Sequence, residues 1–417
     1  PLAGHLVRAT SRLVPTGPDV GVTRMGPSLG VERFAEFYFW TTRTSWRSAM
    51  SEKESEKEEK IEIPEEERAL ASHLLERLVS TPTVTGMERA AEEVVRELLG
   101  PYVDEIRVTG WANYVGTINP EGKRSVMLVA HIDQIGFIVR AIDDKGYLKF
   151  SPVGGWDPKV PYGWRVRVLT KKGPVKGVIG TVPPHLMKKE QREKPPEFEN
   201  LAIDIGAESK EQAEEMGVRI GDYVVLDAPY DELTKYRVVG SGFDDKSGVA
   251  TIFMAAKRLW ERREELGDVR VHVVATVQEE IGLRGAYMMG YELKPDVALV
   301  VDVTFATSPG LPPERVRAEL GKGPVISIGP IYHPEVVERL LKVAEEKEIP
   351  HQREADPRGM GTDTWAIQIA RGGVKTALSS IPNRYMHSGV EVVDLRDLVL
   401  NSRLLAEYVL DWAREGS

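Results

Sequence analysis

Two histidines and a scatter of carboxylates carry the chemistry open to this chain: His131 and Asp133 in AHID, Asp244 and Asp245 in GSGFDDKSG, Glu279 and Glu280 in TVQEE, Asp302 in VVDV, and His387 in SIPNRYMHSG. Imidazole and carboxylate are the ligands of a nitrogen and oxygen metal site. Two divalent metals side by side need one bridging carboxylate, further His and acidic ligands for each, and a free carboxylate to deprotonate the water between them. Adjacent glutamates divide that work, one on a metal and one over the water. In His-x-Asp the acid can accept the second ring N–H of a ligand imidazole and fix its tautomer. Taken singly, each motif has a plainer reading: a structural histidine, an exposed strand end at Glu279 and Glu280, and Asp244 as the cap of a helix beginning near Ser247. The set outweighs these, because its members stand at the mouths of predicted strands and helices.

The elements that must position them read as an α/β series. Leu70, Leu74 and Leu78, then Ala91, Val94, Val95 and Leu98, recur at helical spacing around a TPTVTG turn. SVMLVAHID is a short apolar run of the kind found in buried parallel strands, and its polar end lies where open α/β sheets keep their sites. From 136 to 235 the texture changes to short β-type runs (FIVRAI, GYLKFSPVGG, WRVRVLTKKGPVKGVIGTV, GDYVVLDAP) separated by Gly, Pro and Lys-Gly turns. Alternation then resumes with a helix carrying Val249, Phe253, Ala256 and Trp260 on one face, the strands VRVHVVATV and VALVVDV, the helix EVVERLLKVAEEKEI, the strand VKTALSSI and a last helix from about 394. The expected fold is a mixed, largely parallel sheet sandwiched by helices, built from 67–135 and 236–417 and interrupted by a small all-β, barrel-like insert at 136–235.

Residues 1–66 are expected to be an N-terminal extension, disordered or not native. Residues 1–49 hold Arg but no Lys, show no sustained period, and lack the h-region and cleavage site of a targeting peptide. Met50 opens a charged run typical of a natural, solvated N-terminus. The aromatic cluster FAEFYFW at 34–40 is the contrary feature, costly to leave exposed.

Composition narrows the partners. The chain has 417 residues and no cysteine, which removes thiolate metal sites, cysteine nucleophiles and disulfides. The net charge of −9, without a basic stretch interleaved with aromatics, argues against nucleic acid. Nothing approaches the roughly 20 consecutive apolar residues of a membrane span, so a cytoplasmic protein is expected. A charged fraction of 29% fits a thermophile's ion-pair-rich surface.

AHIDQIGFIV, the GG of SPVGGWDP, LAIDIGAESKEQAEEMGVRIGD, SGFDDKSG, QEEIGLRGA, the VDVT strand end, MGTDTWAI and IPNRYMHSGVEVVDLRD follow one another in an order that resembles the tetrahedral (TET) or deblocking aminopeptidases, dinuclear zinc or cobalt peptidases related to glutamyl aminopeptidase. The resemblance runs from about 67 to 415. It implies that His131 and Asp302 hold one metal, Glu280 and His387 the other, and Asp244 bridges them. Glu279 is then the general base acting on the bridging water, Asp133 orients His131, and Asp245 shares a cis peptide with Asp244. It also implies peptide substrates cut at the free N-terminus, a dimerising β insert, and six dimers closed into a hollow dodecamer. His272 and His185 are expected to be structural or loop residues, and Arg284 and Asp363 to pack, cap or support.

Rival readings use the same residues differently. A carboxypeptidase, deacylase or dipeptidase could share the metal centre. A glycoside hydrolase could pair Glu279 with Asp302 or Asp244, but it leaves the histidines unexplained and wants aromatic platforms, whereas Trp156, Trp164, Trp260 and Trp365 are expected to be scattered rather than clustered around the candidate site. The amino acid removed is left open, acidic, neutral and basic side chains alike.

Overall fold

The computed structural model describes residues 61–187, 196–312, 315–359 and 361–415. Of the expected N-terminal extension, residues 1–60 lie outside the described residues, the aromatic cluster at 34–40 with them. Helix α1 (Glu65–Val79) buries Ala71, Leu74, Leu75 and Leu78, and the acids Glu65, Glu66 and Glu67 occupy its first turn, where the helix dipole favours negative charge. Helix α2 (Glu92–Leu99) buries Val94, Val95, Leu98 and Leu99. Strands β1 (Glu105–Val108) and β2 (Tyr114–Ile118) then form an antiparallel hairpin that the sequence reading did not anticipate. Strand β3 (Arg124–His131) follows, buried at every position after its first.

Six antiparallel strands close the inserted barrel: β4 (Gly136–Ile142), β5 (Leu148–Val153), β6 (Arg165–Thr170), β7 (Gly173–Ile179), β8 (Ile203–Asp204) and β9 (Tyr223–Leu226), in the order β4-β5-β8-β7-β6-β9. Phe137, Phe150, Val168, Ile203 and Val224 are in its separate core. A short helix, α3 (Lys210–Glu215), adds Ala213 to that core, and Ser209 caps it by accepting from the Gln212 N–H.

After β10 (Asp231–Glu232) and β11 (Arg237–Gly240) the α/β layer resumes with α4 (Phe243–Glu261), β12 (Val269–Thr276), α5 (Arg284–Leu293), β13 (Val297–Val300) and β14 (Val303–Phe305). Next come β15 (Val325–Ile328), α6 (Pro334–Glu346), β16 (Gln352–Ala355), α7 (Asp363–Gln368), β17 (Lys375–Asn383), β18 (Glu391–Asp394) and α8 (Leu395–Arg414). The main sheet runs β1-β2-β12-β3-β13-β17-β15-β16, with β14 on β17. Its central four, β12, β3, β13 and β17, are mutually parallel. Helices α1, α4 and α8 pack on one another and α4 on β3, while α5 packs on α7 and α7 on β3 and β13. Buried from both sides, β3 and β13 read as unbroken apolar runs rather than alternating ones. Among the described residues no helix is long and apolar enough to cross a membrane.

His272 is buried inside β12, with Nδ1 3.3 Å from Thr117 Oγ1 on β2. Burial, helped by Arg270 and Arg107, pushes its pKa down to about 4. The folded chain therefore binds fewer protons here than the unfolded chain between pH 6.5 and 4. The stabilising contribution is full above 6.5 and is lost as the pH falls through that window, on the order of 3 kcal/mol for the whole shift. His272→Gln is expected to flatten the fall of Tm on acidification from pH 7 to 4.5, and a fall as steep as the wild type's contradicts this.

Candidate metal centre

The parallel block delivers its polar ends to one edge. His131 is the last residue of β3 and pairs in register with Thr276, the last of β12. Glu279 and Glu280 follow Thr276 by three and four residues, and Asp302 follows the end of β13 by two, its carbonyl accepting from the Ile381 N–H on β17. Asp244 comes from the start of α4, where Asp244 and Asp245 depart from helical geometry and share a cis peptide. His387 lies four residues beyond β17 with a φ of +60°, a left-handed conformation that histidine adopts more readily than most side chains.

The side chains converge on Asp244. Its Oδ1 lies 3.1 Å from His131 Nε2 and its Oδ2 lies 3.2 Å from His387 Nε2. His131 Nε2 is also 3.9 Å from Asp302 Oδ1 and 3.9 Å from Glu279 Oε2, and His387 Nε2 is 3.5 Å from Glu280 Oε2. Two triads result, His131 with Asp244 and Asp302, and Asp244 with Glu280 and His387, each with one ligand atom per residue within 4.8 Å of the others.

Neighbouring polar groups fix these side chains. Asp245 caps α4, its Oδ1 accepting from the Gly248 N–H at 3.0 Å and its Oδ2 from the His131 N–H at 3.3 Å. The capping role weighed for Asp244 thus falls to its neighbour, and the Asp244 carboxylate is left for the two histidines. The Asp133 carboxylate accepts from Thr85 Oγ1 at 2.7 Å and from the Glu279 and Glu280 N–H groups at 3.0 and 3.3 Å. His131 Nδ1 is closer to the Asp133 main-chain oxygen, at 3.1 Å, than to its carboxylate, at 3.6 Å. So Asp133 meets the ring nitrogen Nδ1 of His131 chiefly through its carbonyl, and commits its carboxylate to the glutamate pair.

Electrostatically the site is overloaded with acid. Burial, then the charges of Asp302, Asp363 and Asp244, drives Glu279 up to about 10 against the pull of His131. Burial raises Asp302 to about 7, with Asp244 adding to it, and holds Glu280 and Asp245 well above the carboxylate range. Asp244 moves the other way: burial opposes its ionisation, but hydrogen bonds from His131 and His387 outweigh it. Burial also opposes protonation of His131, and the charge of Glu279 with the contacts to Asp133 and Asp244 overrides it. This many carboxylates in one buried site is the donor set that divalent cations neutralise. Glu280 Oε1 fits that use too, being buried with no hydrogen-bond partner among the described residues.

Every residue singled out for chemistry from the sequence is in or against this cluster, while His185 is exposed on a barrel loop and His272 is buried within β12. Two acids, Glu391 and Glu88, escaped that reading, and a third, Asp363, was expected only to pack, cap or support. Glu391 accepts from the N–H groups of Phe243 at 2.6 Å, Asp244 at 3.2 Å and His387 at 3.1 Å, tying both sides of the second triad together. Glu88 accepts from the Gln278 N–H at 3.2 Å, just before the glutamate pair. Asp363 accepts from Thr276 Oγ1 and adds to the field that raises Glu279. An acid inside an apolar strand, as in VEVVD, is the sequence signal that marks Glu391. Of the four tryptophans expected to lie scattered, Trp365 is the exception, lining the cavity of about 620 Å³ that opens over the cluster, whereas Trp156, Trp164 and Trp260 are not among its lining residues.

The family model described as M42 glutamyl aminopeptidase matches residues 112–404, a span holding every residue of the cluster. A lysyl aminopeptidase of Pyrococcus furiosus is 38% identical over 341 residues, 81% of this chain and 96% of its own. A solved Pyrococcus horikoshii TET1 peptidase, described as assembling into a tetrahedron or a large octahedral shell, is 33% identical with a TM-score of 0.71, over 81% of this chain and 98% of its own. A solved Thermotoga maritima structure described as an endoglucanase is 28% identical with a TM-score of 0.65, over 81% and 99%.

Removing Glu391 tests the frame around the cluster. Glu391→Ala leaves two buried N–H groups and the half-buried one of His387 without their acceptor, and is expected to cost about 3 kcal/mol, measured by denaturant unfolding. A loss under about 1 kcal/mol contradicts the bridging role.

Proposed function

This chain belongs to the M42 glutamyl aminopeptidase family, and from that membership we propose that it removes amino acids from the free N-termini of peptides, with Glu279 as general base. The observation that carries the reading is Asp244, one oxygen toward each histidine at 3.1 and 3.2 Å. In this proposal His131 and Asp302 hold one divalent cation, Glu280 and His387 a second, and Asp244 both. Zinc and cobalt suit such imidazole and carboxylate ligands. Bound there, the cations supply Lewis acidity toward the scissile carbonyl and a more acidic water.

The chain's own groups do the rest. Glu279 belongs to neither triad, so its carboxylate is free to take a proton from the attacking water and return it to the departing amine. Asp133 is a positioning residue, since its carboxylate holds the main chain of Glu279 and Glu280. The acid-rich site favours a free amine over an acylated N-terminus.

Assembly is the second part of the proposal: six dimers closed into a hollow dodecamer in the cytoplasm, with the barrel at the dimer contact. It is supported by the Pyrococcus horikoshii relative's assembly and by exposed apolar side chains on the barrel at Tyr147, Val178 and Ile220.

A glycoside hydrolase is the second reading, favoured by the aromatic side chains around the cavity and by the Thermotoga maritima relative. It gives no task to His131 or His387, and most such enzymes need no transition metal. Hydrolysis of aminoacyl-p-nitroanilides is expected to cease on metal stripping, return with zinc or cobalt, and fall about a thousandfold in Glu279→Gln. Full activity in metal-free protein, or a Glu279→Gln variant as fast as the wild type, overturns the proposal.

A further inference from the structure

The cavity over the cluster has a charged floor and an uncharged wall. Its ionisable lining residues are those of the cluster, His131, Asp244, Glu279, Glu280, Asp302 and His387. The wall is made by Leu283, Tyr287, Phe305, Trp365 and Met386, and among the described lining residues there is no Lys, no Arg and no acid outside the cluster. Tyr287, Phe305 and Trp365 are 45%, 51% and 42% exposed, an unusual amount of aromatic surface to leave facing water in one cleft. The surface is built in place: a Cβ at Gly359, whose φ is +85°, would come within 1.8 Å of Trp365 Nε1, so only glycine lets the indole sit where it does.

Resting on the aminopeptidase reading, we infer that this wall receives the side chain of the substrate's first residue and selects large uncharged ones, of the leucine, methionine and phenylalanine class, over glutamate or lysine. A first residue whose amine and carbonyl lie on the charged floor has its side chain in the same 620 Å³ cavity. An apolar side chain there covers exposed aromatic surface. A glutamate side chain on that wall would shed water with no Lys or Arg among the described lining residues to receive it. A lysine would find only acids already committed to the cluster. Buried charges without a dedicated partner are rejected more strongly than a missing methylene.

The test is kcat/KM of the metal-loaded full chain on leucyl, methionyl, phenylalanyl, alanyl, glutamyl and lysyl p-nitroanilides. Calorimetric binding of Leu-Gly-Gly and Glu-Gly-Gly to Glu279→Gln adds a readout that does not need turnover. The leucyl substrate is expected to exceed the glutamyl and lysyl ones at least about tenfold, with the same order in binding. The leucyl-to-alanyl ratio should fall at least about fivefold in Phe305→Ala and Trp365→Ala and hold in Trp365→Phe. Preference for glutamyl or lysyl substrates, or an unchanged ratio in both alanine variants, overturns the inference and leaves the aminopeptidase reading standing. Hydrolysis of none of the panel overturns both.

Discussion

Asp244 has to reach two histidines from opposite sides, and much of the chain around it serves that one geometry. Its oxygens are free because Asp245 caps the helix in its place, and its main chain is held by Glu391, which also holds His387. Such an acid is costly to bury without partners, and the two imidazoles are what keep it ionised. The same pressure acts on Glu279, Glu280 and Asp302, which burial, and then the neighbouring acids, lift above the usual carboxylate range, making the cluster a site that divalent charge would stabilise.

The fold meets that demand with rigid parts. Strands β3, β12 and β13 are buried apolar runs whose register fixes where His131, Glu279 and Asp302 emerge, and a one-residue slip would turn each to the other face. The barrel is not a mere appendage to this sheet. Its β5 strand runs into Gly154 and Gly155, and Gly155 lies so close to the His387 ring that a Cβ there would stand 3.4 Å from it. An element expected to serve assembly therefore also borders the site.

Much of the site was readable from the chain because parallel strands announce themselves as apolar runs, and the residues just past their ends share an edge. AHID, TVQEE and VVDV are cases of that rule. His387 lies four residues beyond its strand, at the far end of SIPNRYMHSG, and was read together with the other strand ends. What was not readable depends on three-dimensional contacts between distant segments. Glu391 looks like one more acid in a charged chain until its three N–H donors, two of them almost 150 residues away, are seen. Trp365 gave no sign of lining the cavity because α7 is a short helix whose exposed face the sequence pattern does not assign. The β1 and β2 hairpin went unseen because β1 is four residues long and only partly buried.

Whether the two triads sharing Asp244 form one dinuclear centre is measured directly by anomalous diffraction from crystals grown with zinc or cobalt. Two anomalous peaks per chain are expected, one against His131 and Asp302, the other against Glu280 and His387, with Asp244 between them. A single peak, or peaks away from Asp244, would contradict a dinuclear centre.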